Sequence, residues 1–200
     1  MKKVSILIIG LLLSFAACGD DSSDNGISGV IVTNDSVEAS GAQVYNEDDG
    51  KPITDSSIDG DYSEELKQYG VTDLVCEVKN GKLTINLGVP SITDSLKDDW
   101  GLPVSDASIG GVWAYFYKHG PDWCDLYFAQ APTDAANLVH FVYVTKDVMI
   151  NYEDSSVKWQ NVSLKAGWNT VLSCEDESTQ KYVYKNGKPD SSYKWWAYYN

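Results

Sequence analysis

Two hundred residues are enough to enclose one sizeable core, and 12% aromatic with 22% charged residues is the composition of a folding chain. Twenty-nine acids face fifteen basic residues, all of them lysine, for a net charge of −14. Such a surface repels nucleic acid and anionic headgroups, and the lack of arginine removes the bidentate fork that suits phosphate.

The chain begins MKKVSILIIGLLLSFAA, with two lysines, an apolar run and small residues at its end. That order is the layout of an export signal. The fourteen residues from Val4 to Ala17 fall short of the roughly 18 that a spanning helix requires. Phe15, Ala16, Ala17 and Cys18 then resemble the lipobox of bacterial lipoproteins, with Phe15 where leucine is usual. The resemblance implies that residues 1–17 are removed as a lipoprotein signal peptide. It further implies that Cys18 is acylated by palmitate-type chains. The mature protein would then be attached to the cell envelope at the outer membrane, on its periplasmic or its external side. Loss of Lys2 and Lys3 leaves thirteen lysines against 29 acids, or −16. Residues 18–26, CGDDSSDNG, are too polar to order themselves and read as a flexible acidic tether.

From residue 27 to residue 200 the sequence is written in short β-type runs divided by turn residues, without a long helical period. Strands are predicted over 27–33, 71–79, 82–87, 111–118, 123–129, 138–145, 148–152, 157–164, 168–174, 181–185 and 193–199. Asn80-Gly81 lies between two alternating runs and suits a type I′ hairpin. Gly120-Pro121-Asp122 and a second Asn-Gly pair at 186–187 mark further reversals. Helix is confined to short pieces over 63–69 and 91–100. A long loop near 89–110 carries two prolines and no strong strand. The expected fold is a single all-β domain, an antiparallel β-sandwich or β-barrel, since both hide strand edges. Gly111-Val112-Trp113 resembles the Gly-x-Trp element of lipocalin-like barrels, which implies a calycin-like barrel enclosing an apolar ligand as one alternative.

Residues that carry chemistry are sparse. The stretch Asp55 to Asp61 alternates oxygen ligands with Gly60 in sixth place, as an EF-hand loop does. Its twelfth position is Leu66 with Glu65 one place early, so it reads as an acidic turn and no metal or cofactor is expected. Of the two histidines, His119 falls in a loop and His140 in an apolar strand, where a packed, hydrogen-bonded ring is expected. Cys76, Cys124 and Cys174 lie in strand-like runs and read as small buried hydrophobes. No nucleophile elbow, zinc motif or phosphate loop is present. Aromatic residues give the strongest signal. Trp113, Tyr115 and Tyr117 share one face of a predicted strand, and Trp195 and Trp196 stand in the tail. Flat rings that carry a polar handle suit stacking on a glycan or another amphipathic ligand. The sequence therefore reads as a lipid-anchored binding protein, not an enzyme, with a carbohydrate-active hydrolase as the catalytic alternative.

Overall fold

The computed structural model describes residues 29–92, 102–104, 106, 108–119, 123–132 and 137–199. Cys18, the tether, the predicted Gly120-Pro121-Asp122 reversal and all but the first two residues of the predicted 91–100 helix lie outside them. The elements begin with β1 (Val30–Val32), β2 (Val37–Asn46), β3 (Gly60–Asp61), helix α1 (Glu64–Lys67), β4 (Val75–Lys79) and β5 (Lys82–Leu87). They continue with β6 (Gly111–Trp113), β7 (Phe116–Lys118), β8 (Cys124–Ala129), β9 (Leu138–Val144) and β10 (Val148–Glu153). The last four are β11 (Val157–Leu164), β12 (Gly167–Asp176), β13 (Lys181–Asn186) and β14 (Lys194–Tyr199).

One sheet runs β10-β11-β13-β12-β9-β8-β14-β2-β5-β4-β3, with β1 on β2, β6 on β9 and β7 on β8. Its two end strands, β10 and β3, do not pair, so the sheet is open and the barrel alternative falls, and with it the closed calycin cavity. Pairing is mostly antiparallel but not wholly so, because β11 runs parallel to β13 and β14 runs parallel to β2.

The sheet doubles over through β2. Residues Val37 to Gln43 pair with β5, whereas Val44, Tyr45 and Asn46 pair with β14. A bulge between Ser40 and Ala42 breaks the register, and Gly41 sits there at φ +66°, a conformation that costs glycine little. Alternation then makes the core. Leu83, Ile85 and Leu87 of β5 point inward and are at most 2% exposed, while Lys82, Thr84 and Asn86 face solvent. Each such side chain contributes about 1.5–3 kcal/mol by burial. They meet Leu126, Phe128, Val139, Phe141 and Trp195 from the other layer in the larger apolar cluster, the filling of a sandwich. Trp168 ties the layers further through a 3.0 Å hydrogen bond from its Nε1 to the Gly88 carbonyl. A second cluster gathers Val142, Val144, Ile150, Trp159, Val162, Leu164 and Val171, with Leu102 and Ile109 from the long loop packed into it.

The Asn80-Gly81 turn has positive φ at both residues, 50° and 67°, as a type I′ hairpin requires. In the acidic turn, Asp59 accepts from the Asn80 backbone N–H at 2.6 Å and Asp61 from Lys67 Nζ at 2.7 Å. Ser63 also donates to Asp61 through both its backbone N–H and its hydroxyl. These carboxylates therefore hold turns in place. Cys76, Cys124 and Cys174 are free thiols, the first two buried.

Candidate functional site

The feature that makes a site is a fork. Strands β8 and β9 pair with each other only through Phe128 with Val139 and Ala129 with Leu138. Beyond those pairs they diverge, and the chain from Gly111 to Lys118 fills the opening. Its first part, β6, pairs with β9. At Ala114 and Tyr115 it crosses, and its second part, β7, pairs with β8. The single strand predicted over 111–118 is thus two strands on different partners, with Tyr115 at the crossing.

A cleft of about 490 Å³ opens at this crossing, within the roughly 300–1,000 Å³ typical of small-molecule sites. Tyr115, Tyr117, Trp123 and Tyr127 line it together with the carboxyl-bearing residues Glu65 and Asp125. Phe128, Phe141 and Trp195 also line it, and these three rings stack on one another at centroid distances of 5.0–6.5 Å in the core. Helix α1 brings Glu65 there because it packs on β7, where Ser63 bridges to Tyr117. The residue that is one place early for a calcium loop therefore serves the cleft instead.

The five aromatic residues singled out in the sequence have different fates. Tyr115 is 50% exposed, Tyr117 is half-buried, and both line the cleft with Trp195. Trp113 stands behind, edge-on to His140 at 5.0 Å and to Trp159 at 5.9 Å. Trp196 lies elsewhere: it is buried, donates from Nε1 to the Ala129 carbonyl at 3.1 Å, and packs against Tyr45. Sequence reasoning left out Trp123, Tyr127, Asp125 and Glu65. The only sequence signal for the first three was their place in the strand adjoining the 111–118 run, and for Glu65 there was none.

Electrostatics follow burial. Burial pushes the Glu65 carboxyl above its ordinary value, against the opposing pull of the Tyr117 and Tyr69 hydroxyls. Asp125 is raised for the same reason, with His119 pulling the other way. Burial likewise raises the Tyr117 phenol, and the charges of Glu65 and Asp125 add to it, so this ring lies in the field of both carboxylates. The Tyr127 hydroxyl donates to Glu47 at 2.6 Å, which anchors that ring from behind. His140 is held neutral, its pKa lowered by burial to about 4, and its Nε2 meets the buried Ser173 hydroxyl at 2.7 Å. The arrangement offers flat apolar faces, two acceptor carboxyls and no cationic side chain among the residues that line it.

Among the described residues no group of three metal-ligating side chains comes together. Compared with protein-family models, with curated proteins and with solved structures, the chain finds no match in any of the three.

Proposed function

We propose that this is an exported, lipid-anchored envelope protein whose β-domain binds a glycan in the forked cleft without turning it over. The observation that carries the reading is the joint presence of exposed tyrosine and tryptophan rings and two acceptor carboxyls around one cleft of about 490 Å³. Rings stack on the apolar faces of sugars, and carboxylates accept from their hydroxyls. Attachment through Cys18 would put that cleft outside the cytoplasm, and the acidic tether would hold the folded part clear of the bilayer. A doubly or triply acylated Cys18 stays bound, because each buried CH₂ contributes about 0.8 kcal/mol and a single chain holds only weakly.

Two measurements test the parts separately. Cys18→Ala should move the protein from the membrane fraction to the soluble one, and a variant retained as fully as the parent would end the anchoring claim. A glycan array probed with the same full-length variant should give signals that Tyr115→Ala removes. Signals that persist unchanged in Tyr115→Ala would place binding elsewhere.

One observation favours a second reading. Two carboxyls raised by burial in one cleft are the groups a glycoside hydrolase uses as acid and as base or nucleophile. Release of reducing sugar, abolished by Glu65→Gln or Asp125→Asn, would establish that reading in place of simple binding.

A further inference from the structure

We propose that the ligand of the forked cleft carries an ammonium group beside an oxygen acceptor. Within the glycan reading, on which this rests, that is an unacetylated amino sugar. Three observations point the same way. First, Glu65 and Asp125 both line the cleft, and among the described residues neither is ion-paired with a lysine. Two partly buried carboxylates facing one space, with no lysine paired to either and His119 acting on Asp125 alone, are a costly arrangement that a bound cation relieves. Second, the rings around them are Tyr115, Tyr117, Trp123 and Tyr127, and Tyr117 feels both charges. Electron-rich rings that share a cleft with carboxylates attract an organic cation. Third, Trp195, only 1% exposed, lines the same cleft, and its Nε1–H has no acceptor among the described residues. A buried donor left alone calls for an oxygen from outside. Acidic sugars are disfavoured on the same grounds, because the whole chain carries −14 and the cleft adds no positive group.

The test is isothermal titration of the detergent-solubilised full-length protein with three β-1,4-linked disaccharides, built from glucosamine, N-acetylglucosamine and glucose. The glucosamine form should bind at least tenfold tighter than either neutral form, and the margin should shrink on adding salt. In Glu65→Gln/Asp125→Asn the three affinities should fall within about threefold of one another. In Asp48→Asn/Asp49→Asn, which removes two exposed carboxylates outside the cleft, the tenfold preference should remain, which separates the site from general attraction to an acidic surface. Trp195→Phe should weaken all three ligands about fivefold and leave the preference intact. Because the wild-type preference and its salt dependence are read without any substitution, a variant that fails to fold does not rescue the idea. Equal affinity for charged and neutral forms overturns the ammonium assignment while leaving glycan binding standing. No binding by any of the three overturns both.

Discussion

His140 should contribute a loss of stability on mild acidification. The folded protein holds the ring neutral with a pKa near 4, against 6.5 in the unfolded chain. Between those values the unfolded state binds the additional proton, so stability falls as pH falls through this window. At ~1.4 kcal/mol per pH unit, the full loss is about 3 kcal/mol below pH 4 and about 2 kcal/mol at pH 5. The surface aspartates whose pKa values are lowered by hydrogen bonds act in the same direction but below their ordinary value of 3.8, outside this window. Glu65 and Asp125, raised by burial, act in the opposite direction and partly mask the slope in the wild type. A difference measurement removes that masking. Urea melts of wild type and of His140→Phe/Ser173→Ala at pH 7 and pH 5 should give a gap that changes by about 2 kcal/mol between the two pH values. Ser173 is replaced as well because its buried hydroxyl would otherwise lose its 2.7 Å partner. An unchanged gap would mean that the ring is protonated as readily in the fold as in water, and the account of its burial between Trp113 and Tyr184 would be wrong.

Other substitutions probe the frame and the cleft. Gly81→Ala should cost more than ~1 kcal/mol in a thermal melt, because φ is +67° and a Cβ there would run into the Ile53 carbonyl. Trp168→Phe should cost ~1–3 kcal/mol more than Trp195→Phe by urea denaturation. Both rings are at most 2% exposed, but only Trp168 gives up a hydrogen bond, leaving the Gly88 carbonyl unpaired. Tyr115→Ala should leave stability within ~0.5 kcal/mol of wild type, as expected for a surface ring, while reducing glycan affinity at least tenfold; a large loss of stability would show that this half-exposed side chain is structural.

The β class and most strands could be read from alternation, and the reasons for the misses are local. Strand β2 escaped because its inward residues Val37, Ala39, Ala42 and Val44 are small and the bulge at Gly41 shifts their period partway along. Its role in joining the two layers comes from two long-range pairings, with β5 and with β14, that no local pattern records. The 111–118 run read as one strand because its alternation is continuous: Val112, Ala114 and Phe116 join the larger core while Trp113 joins the other cluster. What splits it is a change of partner from β9 to β8, a tertiary event.

The cleft was half legible for a related reason. An excess of aromatic residues announces that something beyond one core is being lined, but ring count alone does not assign a ring to packing or to a ligand. The structure sorts them by polarity. Phe116, Phe128 and Phe141 have no polar atom to satisfy and pack around Trp195 in the core. Tyrosines keep their hydroxyls within reach of partners or water, Tyr127 on Glu47 and Tyr117 beside Glu65, and so hold ring faces at the open side of the fork. The carboxyls that complete the site were hidden among twenty-nine acids, since Glu65 comes from a one-turn helix and Asp125 from the strand on which that helix's neighbour β7 pairs. The fork brings Glu65 and Asp125, sixty residues apart, to the same cavity, so the pairing of carboxyls there is a property of topology, whereas the supply of rings is a property of composition.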